Sequence, residues 1–127
     1  MTACKVIVEG TLGEKGVDSD EFKEYLKRAI ANDKVYGGVE LQYHAVKENI
    51  GQGAKPDFVV ILEYPSYEVV KNAFASEEYQ AILPLRNIAF KEVKIFVKKI
   101  ILQAKRENCY KLIATSRHKN LLAHRLY

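Results

Sequence analysis

The sequence predicts an α+β domain of ferredoxin-like order, β-α-β-β-α-β, over residues 1–97. A basic helix–strand–helix extension is expected over residues 98–127. Three observations carry this. Apolar spacing alternates between strand-type runs and 3.6-residue stripes in that order. The run DFVVILEY (57–64) is apolar on both sides, as a central strand must be. Charge breaks sharply: residues 1–97 carry 12 basic and 15 acidic side chains (net −3), and residues 98–127 carry 8 and 1 (net +7).

The first strand is CKVIVE (4–9), rich in β-branched residues and closed by Gly10. A glycine-containing loop leads to a helix from about Asp18 to Ala31. Phe22, Tyr25, Leu26, Ala29 and Ile30 form its apolar stripe, Asp18 caps it, and Asn32-Asp33 is expected to end it. After Gly37-Gly38, VELQYHAV (39–46) alternates. Val39, Leu41, Tyr43 and Ala45 are expected on one side, and Glu40, Gln42 and His44 on the other. A polar loop with two glycines and Pro56 precedes the central strand. Ser66 then caps a helix carrying Val69, Val70, Ala73 and Phe74. Ser76 caps a short helix with Tyr79, Ile82 and Leu83, which Pro84 is expected to stop. VKIFV (93–97) is the last strand. Helices can cover only one face of such a sheet, so the other apolar face calls for a partner, most simply a second copy of the chain.

The whole chain has 127 residues, enough for one compact domain plus an appendage, and a net charge of +4. Its two cysteines, Cys4 and Cys109, form neither a disulfide framework nor a metal-ligand spacing; reduced thiols in the cytoplasm are the expectation. No apolar run reaches the roughly 20 residues of a membrane-spanning helix. No metal and no cofactor are expected. The basic segment lacks a nucleic-acid motif and interleaved aromatics, so nucleic-acid binding is not expected from its charge.

The stretch ILEYPSYEVVKNAFASEEYQAILPLR (61–86), together with Tyr36-Gly37-Gly38, resembles a family of short, mostly bacterial proteins of unknown function in the dimeric α+β barrel superfamily. The matching positions are Glu63, Tyr64, Pro65 and Ser66, then Ser76, Glu78, Tyr79 and Gln80, then Pro84, Leu85 and Arg86. The resemblance covers about residues 3–97. It implies a homodimer in which two ferredoxin-like units pack sheet to sheet into a barrel, and it implies no reaction. An arginine that the family often carries between its second and third strands is absent from LQYHAVKENIGQGAKP here. The segment KKIILQAKRENCYKLIATSRHKNLLAHRLY resembles a fragment of a GNAT-type N-acetyltransferase, through Asn120, Ala123 and Tyr127. The pyrophosphate-binding turn of that family is missing, so acetyltransferase activity is not expected.

Five residues stand out as candidates for chemistry. His44 and Glu63 are the candidate catalytic residues: His44 as general base on a polar strand side, Glu63 as a carboxylate at the end of the most apolar strand. The plain alternatives are a solvent-facing histidine, and a carboxylate paired with Arg86. Arg86, Tyr79 and Tyr25 are the candidate ligand-binding residues. Arg86 could clamp a carboxylate, or instead hold a loop by an ion pair. The two tyrosines could line a pocket, or be core residues with satisfied hydroxyls. The leading functional expectation is a small-ligand-binding or metabolic protein, possessing cofactor-free acid–base chemistry if it is an enzyme, with Glu63, His44 and Arg86 in a pocket between sheet and helices. The alternatives are a non-catalytic dimerisation or scaffold module and, after it, an acetyltransferase-related remnant that retains part of its coenzyme site.

Overall fold

The computed structural model of the chain describes residues 2–99. Four strands, β1 (Cys4–Leu12), β2 (Val39–Ala45), β3 (Phe58–Tyr64) and β4 (Phe90–Val97), form one antiparallel sheet in the order β2-β3-β1-β4. The helices are α1 (Asp20–Val35), α2 (Tyr67–Ala75), α3 (Glu77–Ala81) and α4 (Leu83–Ala89), with a single 3-10 turn at Gly16–Asp18. The chain therefore has the expected ferredoxin-like α+β architecture.

The strand period of two assigns the faces. Cys4, Val6, Leu62 and Tyr64 pair across β1 and β3 and share a buried cluster with Val70 and Ala73 of α2. A second cluster joins Tyr25 of α1 to Tyr79, Ile82, Ala89 and Phe90. The alternate residues, Ile7, Val59, Ile61 and Glu63, point to the opposite face, where they are only half-buried. Across that face Phe96, Ile7 and Ile61 stand in register as an apolar row. On either side of the row, register pairs carry opposite charges: Glu9 with Lys94, and Lys5 with Glu63.

Four local expectations are corrected. Helix α1 begins two residues later than Asp18 and is capped by Ser19, whose Oγ accepts from the Phe22 N–H at 3.0 Å. It also runs on through Asn32 and Asp33 to Val35. Asn and Asp disfavour helix interiors because their side chains compete for backbone groups, but here both side chains are occupied elsewhere. Asn32 Nδ2 donates to the Ala73 carbonyl at 3.0 Å, and Asp33 Oδ1 accepts from the Tyr64 hydroxyl. The helix ends where the Gly37 and Gly38 N–H groups return to the Lys34 and Asp33 carbonyls, with Gly37 at φ +76°. Second, Pro84 stops nothing. It lies in the first turn of α4, where a missing N–H is harmless. Third, β4 starts at Phe90 rather than at 93, in continuation of α4.

Fourth, two side chains, Val39 and Glu40, exchange faces of the sheet relative to the expected alternation. Glu40 pairs with Leu62 and Gln42 with Ile61, so Leu41 is an extra residue in a β-bulge. The alternation read from VELQYHA breaks there. Glu40 joins Tyr43 and Ala45 on the helix side, while Val39, Gln42 and His44 share the open face. β4 ends at Val97. The helix–strand–helix expected beyond it lies outside the described residues.

Candidate functional site

Between α1 and the sheet lies a cavity of about 410 Å³. Its lining is mostly apolar and aromatic, and every member of the α1 stripe contributes: Phe22, Tyr25, Leu26, Ala29 and Ile30. From the sheet come Val8, Phe58, Val60, Leu62, Phe90, Val93 and Ile95, and from α2 and α3 come Phe74 and Tyr79. The stripe is not sealed against the sheet. Leu26 and Ile30 are 41% and 46% exposed, and with Tyr43 they mark the mouth. A stripe that stops short of close packing leaves room for a guest.

Aromatic rings set the walls. Phe58 stacks on Tyr43 (centroids 5.9 Å apart, 13° between planes) and tilts against Phe90 at 5.7 Å. Its ring crosses Gly10 so closely that a Cβ there would lie 2.2 Å from it; the glycine lets the ring settle flat on β1. Phe74 meets Tyr79 edge-on at 5.0 Å and Tyr64 at 6.2 Å.

Glu40, Asp33 and the Tyr25–Tyr79 pair interrupt the apolar lining. Asp33 Oδ1 accepts from the Tyr64 hydroxyl at 2.5 Å. Burial raises the Asp33 carboxyl above its ordinary range; the Tyr64 hydrogen bond pulls it back, and the nearby Glu40 carboxylate pushes it up further. Burial, and then the Asp33 carboxylate, raise the Tyr64 phenol, so it remains a donor. On the other side of Phe74 the Tyr25 and Tyr79 hydroxyls lie 2.9 Å apart, and Arg86 Nη1 donates to the Tyr79 oxygen at 3.1 Å. Burial, and then Tyr79, raise the Tyr25 phenol, so it too stays protonated.

Of the five residues singled out from sequence, the structure joins Arg86, Tyr79 and Tyr25 into one hydrogen-bonded chain. Both tyrosines line the cavity. His44 and Glu63 do not reach it: both lie on the open face of the sheet. His44 is exposed and its Nε2 lies 3.0 Å from Gln42 Oε1. Glu63 makes no ion pair with Arg86, because the two residues lie on opposite sides of the sheet. The expectation of one pocket holding Glu63, His44 and Arg86 is therefore corrected. Sequence reasoning passed over Asp33, Tyr64 and Glu40. For Asp33 a signal existed: it continues the stripe of Tyr25 and Ala29 by one further step of four. A carboxylate in phase with an apolar stripe faces what the stripe faces. Among the described residues no cluster of His, Cys, Asp or Glu could hold a metal ion, and no helix is long and apolar enough to cross a membrane.

Residues 14–100 match the family model described as a domain of unknown function, DUF1330. The chain belongs to the DUF1330 family. The match covers both sides of the cavity and ends at residue 100, and the likeness of the C-terminal segment to an acetyltransferase finds no support. No curated protein matches the chain. Solved structures share the DUF1330 chain's fold at low identity. The RPA0582 protein of unknown function from Rhodopseudomonas palustris has a TM-score of 0.66 at 15% identity, over 79% of this chain and 83% of that one. SnoaB, a cofactor-independent oxygenase from Streptomyces nogalater, has a TM-score of 0.51 at 14% identity, over 81% and 99%. A dimeric ferredoxin-like protein of unknown function from Thermobifida fusca has a TM-score of 0.51 at 11% identity, over 77% and 91%.

Proposed function

We propose that this DUF1330 protein binds a small, largely apolar molecule in the cavity beneath α1 and performs cofactor-free acid–base chemistry on it. The observation that carries the reading is the cavity itself: about 410 Å³, aromatic-walled, with few polar groups, one of them a carboxyl of raised pKa. Asp33 is the group that takes a proton from the ligand and returns it. An apolar surrounding that favours its neutral form gives it an affinity for protons suited to both directions. Tyr64, bonded to it, fixes its orientation.

The protein is further proposed to act as a homodimer through the open sheet face. The Phe96–Ile7–Ile61 row and the oppositely charged pairs beside it suit a self-complementary contact, and a dimeric neighbour of the same fold supports it. Glu63 and His44 would then lie at the subunit contact rather than in the ligand cavity. A cytoplasmic setting is part of the same proposal, in keeping with the free, buried Cys4 thiol.

The test is a thermal-shift and native-mass screen of the full chain with small ring compounds bearing one hydroxyl, carbonyl or carboxyl group. A ligand at a hundred times its Kd stabilises by about 2.7 kcal/mol, a rise of several degrees in Tm. Ala29→Phe, which fills the cavity from α1, should abolish the rise. If no compound shifts the melting point at millimolar concentration, the reading fails and the chain is a dimerisation module.

A further inference from the structure

Tyr25 and Tyr79 are 9% and 4% exposed, and their hydroxyls are buried beside an apolar space. Their hydrogens can be counted. Two phenols bring two hydroxyl hydrogens, and the single contact between them uses one. The bond from Arg86 brings its own hydrogen and occupies a lone pair of Tyr79. If Tyr25 donates to Tyr79, both Tyr79 lone pairs are filled and the Tyr79 hydrogen is left over. If Tyr79 donates to Tyr25, the Tyr25 hydrogen is left over. Among the described residues neither has a second acceptor. In either arrangement one donor remains on a residue of the cavity wall, bonded to the Arg86 guanidinium directly if it is Tyr79 and through Tyr79 if it is Tyr25. Arg86 makes no ion pair among the described residues, so its charge is not cancelled by a carboxylate.

We propose that this remaining hydroxyl hydrogen, polarised by Arg86, receives a single ligand oxygen that bears negative charge, so that the ligand is a phenol or an enolisable ketone bound as its phenolate or enolate. The inference rests on the cavity being the ligand site and specifies what enters it. A lone donor suits one oxygen rather than the two of a carboxylate. The relay Arg86–Tyr79–Tyr25 strengthens along its length because each bond polarises the next. Tyr25 stays protonated, as a donor must. Asp33, on the same helix and wall, is positioned to take the proton that such a ligand gives up.

The experiment titrates the full chain with 4-nitrophenol and with nitrobenzene, which lacks the oxygen, by calorimetry and by the visible phenolate band. The phenol should bind about tenfold or more tightly than nitrobenzene, as charge-assisted hydrogen bonds do. The phenolate band should grow on binding at fixed pH. Tyr79→Phe, which cuts the relay from Arg86, should lose about tenfold in affinity for the phenol alone. Arg86→Gln should bind without growth of the band. Tyr25→Phe leaves the Tyr79 hydrogen and Arg86 in place and should lose only a few-fold. Near-ultraviolet circular dichroism confirms that each variant is folded; were Tyr79→Phe to unfold, the phenol-to-nitrobenzene ratio of the unaltered chain still decides. Equal binding of the two compounds, with Tyr79→Phe unchanged, overturns the oxyanion site and leaves the cavity reading standing. Binding of neither overturns the cavity reading as well.

Discussion

The Tyr64 hydroxyl donates to Asp33 Oδ1 across 2.5 Å, joining the end of the central strand to the last turn of α1. Thirty-one residues separate the two in sequence. The contact positions a carboxyl that the surrounding apolar wall would rather see neutral.

Asp33 holds its proton more tightly in the folded chain than in the unfolded one. Its contribution to stability is thus full below the unfolded pKa and is lost as pH rises through the folded pKa. Asp33→Asn keeps an acceptor and removes the titration. The stability difference, unaltered chain minus variant, should grow as pH falls from neutral through the raised Asp33 range. Urea midpoints of both proteins across that range measure it; parallel curves would refute the assignment.

Removing the other partner should be more damaging. Tyr64→Phe strips a half-buried carboxylate of its donor, which costs about 1.5–3 kcal/mol at neutral pH. Combined with Asp33→Asn the loss should be smaller than the sum of the single losses. A double-mutant cycle by chemical denaturation reads this coupling.

Asn32 offers a sharper test of why α1 continues. Alanine is the better helix former, so Asn32→Ala would stabilise an isolated helix by several tenths of a kcal/mol. In the folded chain it removes the Nδ2 bond to Ala73 and the contact of Ser76 Oγ with Oδ1, both buried. A net loss of about 1–3 kcal/mol is expected. A stabilised variant would show that propensity, not the tertiary bond, governs the helix.

Gly38 is constrained by its neighbours rather than by its own backbone. A Cβ there would meet the Tyr64 ring at 2.7 Å and the Asp33 carbonyl at 3.2 Å. Gly38→Ala should displace the ring, cost about 1–3 kcal/mol as overpacking does, and weaken any ligand binding that uses Asp33. Denaturation and ligand titration of the same sample separate the two effects.

The open face predicts an assembly. Ile61→Lys places a charge at the end of the apolar row beside Ile7. The unaltered chain should sediment as a dimer at micromolar concentration and the variant as a monomer. A monomeric unaltered chain would refute the dimer.

How much of this was legible in the residues follows from the physics of each element. Strand patterns and serine caps are local signals, so β3, α2 and the start of α3 stand where periodicity and Ser66 and Ser76 place them, while β1 begins at Cys4 as expected but runs through Gly10 to Leu12. Asn32 and Asp33 misled because the partners that keep them helical are remote in sequence. Pro84 misled because a proline suits the start of a helix as well as its end. The site divided along the same line. Tyr25, Tyr79 and Arg86 were visible from a stripe and a motif, but Asp33 was hidden by the supposed helix end. Glu63 and His44 were drawn to the cavity by the polarity of single residues, although strand parity sends them to the far face.

The bulge at Leu41 lets an edge strand change its phase without any adjustment in the strands beside it. β1 and β3 keep an unbroken pairing from Cys4 with Tyr64 to Gly10 with Phe58, while β2 absorbs the extra residue alone. A carboxylate is thereby delivered to the rim of the cavity by an edge strand, which pairs on one side only. Relatives of this chain could gain or lose that charge by a one-residue insertion or deletion. The mouth of the cavity can thus diverge while its inner wall stays the same.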